Sequence, residues 1–122
     1  MPKLIIVDDE PDIREFAKRF FEKRHIEVFT ACNGLEALEI IDAQKPDLAL
    51  FDITMESMTG LELLKKLREK GNDMKVIMVS GLENEETVNE ANSWGVRGYI
   101  HKPLVLEELE KIVLAELEMH EN

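Results

Sequence analysis

Short apolar runs alternate with helical patterns along the whole chain. The runs predict strands over 3–8, 27–31, 47–51, 75–80 and 98–101. In the first, third and fourth, as in Leu4-Ile5-Ile6-Val7 and Val76-Ile77-Met78-Val79, apolar residues follow one another without alternation. Strands buried on both faces read this way, and parallel strands covered by helices are the usual case.

Five helices are predicted between and after the strands, over 11–24, 34–43, 60–70, 85–94 and 104–119. The first carries Ile13, Phe16, Ala17, Phe20 and Phe21 at the spacing of one helical face. Pro11 suits its first turn, and Glu10 and Asp12 suit the positive end of its dipole. The second points Leu35, Leu38 and Ile41 inward and is stopped by Pro46. The third does so with Leu61, Leu64 and Leu67 and ends at Gly71. The fourth has the thinnest stripe, Val88, Ala91 and Trp94; the fifth has Leu106, Leu109, Val113 and Leu117. Asn33-Gly34 resembles a hairpin turn, but helical periodicity follows it.

Five β–α units joined by short loops predict one domain over residues 1–122, a doubly wound parallel α/β fold. Ligands of such folds sit beyond the carboxyl ends of the strands. Composition adds exclusions. The longest apolar runs are four residues, far short of the roughly 20 a membrane span needs. No signal peptide is recognisable, and the single cysteine, Cys32, expected to be a small buried residue, cannot form an internal disulfide. A cytoplasmic protein is expected. A net charge of −11 works against direct nucleic-acid binding.

The strand ends carry the chemistry. The first closes on Asp8-Asp9 and the third on Asp52. If those strands are neighbours, three carboxylates converge, and two such charges ~4 Å apart repel by roughly 4 kcal/mol at an effective dielectric near 20. A Mg²⁺-type ion, which prefers hard oxygen ligands and recruits phosphate oxygens, offsets that repulsion. Either Asp8 or Asp9 alone reads better as a helix cap; it is the pair with a third aspartate at a neighbouring strand end that points to a metal. The fourth strand ends in Ser80-Gly81 and the fifth is followed by Lys102-Pro103, adding a hydroxyl and an ammonium to the same rim. Singly these are a turn serine and a solvated lysine. Together, carboxylate nucleophile, metal, hydroxyl and ammonium describe phosphoryl transfer, which depends on positioning and charge neutralisation.

With these motifs the chain resembles the receiver domains of two-component response regulators over essentially its full length. The resemblance rests on Ile5-Ile6-Val7-Asp8-Asp9-Glu10, on Asp52-Ile53-Thr54-Met55 leading to Met58 and Gly60, on Val79-Ser80-Gly81, and on Gly98-Tyr99-Ile100-His101-Lys102-Pro103. It implies a flavodoxin-like (βα)5 fold with strand order 2-1-3-4-5. It implies that Asp52 accepts phosphate from a histidine kinase or histidine phosphotransfer protein. Asp9, Asp52 and the backbone carbonyl of Thr54 are implied to bind Mg²⁺, with Asp8 assisting. Ser80 would hydrogen-bond the phosphoryl group, Lys102 neutralise it, and Tyr99 act as a rotamer switch. A cis Lys102-Pro103 peptide is implied too. The face formed by the fourth helix, fifth strand and fifth helix would meet a downstream protein, a fused output domain or a second copy. Trp94 and Leu114, which do not sit comfortably on the inward stripes, read equally well as apolar residues of that face or as side chains partly buried against their neighbours. Glu56 departs from the pattern, standing where the family usually has proline, in the loop after the acceptor; it is expected to loosen that loop without touching the metal ligands.

Two other functions compete. A haloacid-dehalogenase-type phosphatase also uses a strand-end aspartate, but Thr54 replaces the second Asp of its Asp-x-Asp motif and no room is left for a cap. A degenerate scaffold would not need Asp8, Asp9, Asp52, Ser80 and Lys102 together. His25, His101 and His120 lack ligand-like spacing.

Overall fold

The computed structural model describes residues 1–55, 57–81 and 85–119; Glu56 and His120 lie outside them. The strands are β1 (Lys3–Val7), β2 (Glu27–Ala31), β3 (Leu48–Asp52), β4 (Lys75–Ser80) and β5 (Gly98–His101). They form one parallel sheet in the order β2-β1-β3-β4-β5, as expected. The helices are α1 (Pro11–Glu22), α2 (Gly34–Gln44), α3 (Gly60–Glu69), α4 (Glu85–Ser93) and α5 (Leu106–Glu116). Among the described residues no helix is long and apolar enough to cross a membrane.

Strand alternation divides the core into two layers. Leu4 and Ile6 of β1, Leu48 and Leu50 of β3, and Ile77 and Val79 of β4 pack with α1 and α5 through Ala17, Phe21, Leu109 and Val113. Their sequence neighbours Ile5, Val7, Ala49, Phe51, Val76 and Met78 point the other way, against Ala37, Ile41, Leu63, Leu64, Leu67 and Ala91 of α2, α3 and α4. This double coverage is why the central strands are apolar at every position.

Local sequence sets the helix ends. Pro11 opens α1, and Asn33 caps α2 by accepting from the Glu36 N–H. Thr59 and Glu62 form a reciprocal capping box on α3. α5 departs from expectation at both ends: it begins at Leu106 behind extended Val105, and it stops before Glu118, whose φ is 58°.

The faces of four helices also differ from expectation. Leu35 is 69% exposed, Phe16 50% and Leu106 37%, although each lies on an apolar stripe. The buried strip is narrower than the apolar stripe, so its outer members reach solvent. On α3 the burial extends to Leu63, with Leu61 only half-buried. Of the two readings open for Leu114 and Trp94, burial holds: Leu114 is buried in the α1/α5 layer, and Trp94 is half-buried against the opposite layer. Cys32 is half-buried rather than buried, with its Sγ near the Glu36 carboxylate.

Candidate functional site

Parallel pairing of β1 with β3 and of β3 with β4 brings the ends of three strands side by side, and β5 adds a fourth. Asp8, Asp52 and Ser80 are there, all almost completely buried. They are the buried polar side chains among the described residues. Asp9 is half-buried beside them and Thr54 is exposed.

Asp52 is held from both carboxylate oxygens. Its Oδ1 accepts the Thr54 N–H at 3.1 Å, and its Oδ2 accepts from the Lys102 Nζ at 3.0 Å. The backbone behind it is packed without slack. The Ile53 N–H donates to the Val79 carbonyl and the Gly60 N–H to the Ile53 carbonyl, each at 3.0 Å. A side chain at Gly60 would put its Cβ 2.5 Å from the Asp52 carbonyl oxygen, so this close approach needs glycine.

Lys102 reaches the site because its N–H donates to the Ser80 carbonyl at 2.7 Å, anchoring it beside the end of β4. The Lys102–Pro103 peptide is cis, as expected. Burial disfavours the Lys102 ammonium, but the hydrogen bond and charge of Asp52, with the charges of Asp8 and Glu10, outweigh it and raise its pKa. The Ser80 Oγ is buried without a hydrogen-bond partner. An orphaned buried hydroxyl carries a free-energy cost unless a ligand completes it.

Ligand atoms of Asp8, Asp9 and Glu10 lie within 4.8 Å of one another, and Asp52 is engaged with Lys102. Burial raises the Asp8 pKa to about 6, and the nearby Asp52 charge adds to the rise. Two contributors were not foreseen. Glu10 approaches Lys102 to 3.8 Å, and Arg14 donates from Nη1 to the Asp8 carbonyl at 2.7 Å, fixing the end of β1. Arg14 could have been found as the basic residue one turn into the helix that follows the acidic pair. Tyr99 is half-buried, its hydroxyl donating to the Val88 carbonyl at 3.4 Å.

The residues present suit Mg²⁺. Their donors are hard oxygens, the cluster is acidic, and the Lys102 ammonium sits on the Asp52 carboxylate and 3.8 Å from Glu10. A groove of about 490 Å³ leads from Lys102, Pro103 and Leu104 along α1 past Ile13 to Phe16.

The model of the response regulator receiver domain matches residues 4–114. Sporulation initiation phosphotransferase F of Bacillus subtilis is 31% identical, over 98% of this chain and 97% of that protein. Chemotaxis protein CheY of Listeria monocytogenes is 41% identical, over 91% of this chain and 98% of that one. The structure of response regulator protein TrrA from Thermotoga maritima, in complex with Mg(2+)-BeF, aligns with a TM-score of 0.81 at 33% identity, covering 95% of this chain and 99% of that one. With the match spanning the sheet, the acidic pair and every strand end of the site, the chain belongs to the response regulator receiver domain family and is a phosphorelay signalling domain.

Proposed function

We propose that Asp52 is the phosphoacceptor, taking a phosphoryl group from the phosphohistidine of a histidine kinase or histidine phosphotransfer protein. The observation that carries this reading is the pairing at Asp52 itself: a buried carboxylate held on a lysine ammonium, beside a buried serine hydroxyl with no partner. An Asp52 oxygen attacks phosphorus, the phosphorus–nitrogen bond breaks, and the electron pair leaves with the donor imidazole, which is protonated there. The product is an acyl phosphate. Lys102, already on Oδ2, neutralises a phosphoryl oxygen, and the Ser80 hydroxyl donates to another. Asp9, Asp52 and the Thr54 carbonyl, with Asp8 assisting, would hold Mg²⁺, which supplies charge neutralisation at the phosphoryl oxygens.

The groove beside the site supports a protein as donor. Phe16 and Leu106 are exposed apolar residues near the rim that carries Lys102. Such a patch gives a partner something to bury next to the reacting atoms. The signal leaves by the face of α4, β5 and α5, toward a downstream protein, a fused output domain or a second copy.

The test is labelling by acetyl phosphate or phosphoramidate with Mg²⁺. Label is expected in the parent, removed by hydroxylamine as an acyl phosphate would be, and lost in EDTA and in Asp52→Asn. Undiminished label in Asp52→Asn overturns the assignment.

A further inference from the structure

α4 is held unevenly along its length. Near its C-terminal end Ala91 is completely buried, and Trp94, just beyond, packs half-buried against the core layer. That end is gripped by Arg68, from the last turn of α3. The Arg68 Nε donates to the Trp94 carbonyl at 2.7 Å, and Nη2 to the Gly95 carbonyl at 3.2 Å. Nη1 donates to the carbonyls of Asn72 and Met74, at 3.1 and 2.9 Å, in the connection between α3 and β4. One planar guanidinium therefore bridges the end of α4 to the neighbouring loop. Lys65 pairs with Glu90 one turn earlier, and the Arg97 N–H donates to the Val76 carbonyl at 2.8 Å, fastening the chain to the sheet directly after.

The N-terminal end is less buried. Glu85 and Glu86 are exposed, Thr87 and Val88 only half-buried. The Val88 carbonyl takes the Tyr99 hydroxyl at a long 3.4 Å. This is the end that follows Ser80 in the chain, whose hydroxyl lacks a partner until a phosphoryl group supplies one.

We propose that Arg68 is the pivot of the switch: phosphorylation tilts α4 about Trp94 and Gly95 instead of displacing the helix bodily. The inference rests on Asp52 being the phosphoacceptor. A nine-residue helix is about 14 Å long, so a tilt of about 10° moves its first turn by roughly 2 Å while its last turn stays in place. Packed elements shift between discrete arrangements, and the segment with least packing is the one that moves. Arg68 is suited to the role because its donors are fixed in one rigid fork. A lysine ammonium on a flexible stem cannot bridge the same four carbonyls.

The experiment is nuclear magnetic resonance of the full chain with Mg²⁺ alone and with Mg²⁺ and beryllofluoride, where BeF₃⁻ on Asp52 stands in for the phosphoryl group. Backbone amide shifts and residual dipolar couplings are read along α4. In the parent, changes should be large from Glu85 to Val88 and fade to near zero at Trp94 and Gly95, with couplings that fit a reoriented helix. In Arg68→Lys the gradient should flatten, with Trp94 and Gly95 shifting as much as the first turn. The parent gradient alone decides if that variant does not fold. Uniform changes along α4 in the parent, or an unaltered gradient in a folded Arg68→Lys, overturn the pivot. Absence of any beryllofluoride response at Asp52 and Thr54 overturns the phosphoacceptor assignment and the pivot with it, and the two failures are told apart by those two amides.

Discussion

Burial raises the Asp8 pKa from 3.8 to about 6, with the hydrogen bond from the Glu10 N–H opposing it and the Asp52 charge adding to it. The folded protein therefore holds the Asp8 proton more tightly than the unfolded chain does. Stability linked to this group is fully present below about pH 4 and is lost as pH rises through about 6. The gap between 3.8 and about 6 corresponds to about 3 kcal/mol. In EDTA, denaturant unfolding should show the parent losing stability relative to Asp8→Asn between pH 4 and pH 7. Parallel curves for the two proteins would contradict this account. That Asp8, Asp52 and Ser80 come together was legible in the sequence, because they end or directly follow apolar runs and a parallel sheet gathers such ends. Their burial was not, since it depends on how far α1 and the loop after β3 close over them. Glu10 and Arg14 were missed for a related reason: their reach to Lys102 and to the Asp8 carbonyl depends on the angle at which α1 leaves β1.

Whole elements were easier to read than the faces they present. All five strands and all five helices lie where the apolar pattern puts them, to within a few residues at the ends. The central strands β1, β3 and β4 were legible because a sheet covered on both sides leaves no polar position inside them. Helix faces were harder, because 3.6-residue periodicity marks a stripe and says nothing of which edge of that stripe the sheet covers. Leu35 and Leu114 make the point from opposite sides: Leu35 is on its stripe yet 69% exposed, and Leu114, off its stripe, is 6% exposed. Leu114→Ala should cost about 2–5 kcal/mol through the cavity it leaves, whereas Leu35→Ala should change stability by no more than about 0.5 kcal/mol. Denaturation midpoints at fixed pH distinguish the two. Equal midpoints would mean that the packing of α5 on α1 is not as described.

At the scale of the molecule, the site opens toward one side. Lys102, Pro103 and Leu104 border a groove that continues over Ile13 and Phe16 of α1, and Phe16 also lines a second hollow with Asp12, Arg19, Phe20 and Leu106. Charged residues of both signs, Asp12, Glu15, Arg19 and Lys23, surround this apolar strip. That is the composition of a docking surface with an apolar centre and a polar rim. With Asp52 as the proposed phosphoacceptor, a small phosphodonor would need only the pocket around it, whereas a donor protein would have to rest on its surroundings while its histidine reaches the carboxylate. Phe16 is half exposed, so replacing it takes little from the core, while truncating an aromatic anchor at an interface commonly costs more than 1 kcal/mol of binding. Phe16→Ser should therefore reduce the rate of transfer from a phosphorylated histidine kinase by about tenfold at subsaturating donor, which corresponds to about 1.4 kcal/mol. Labelling by acetyl phosphate should fall far less. The comparison of the two rates in the same variant is the measurement, since a general loss of folding would lower both together. A kinase transfer rate as high in Phe16→Ser as in the parent would move the donor to another face of the domain.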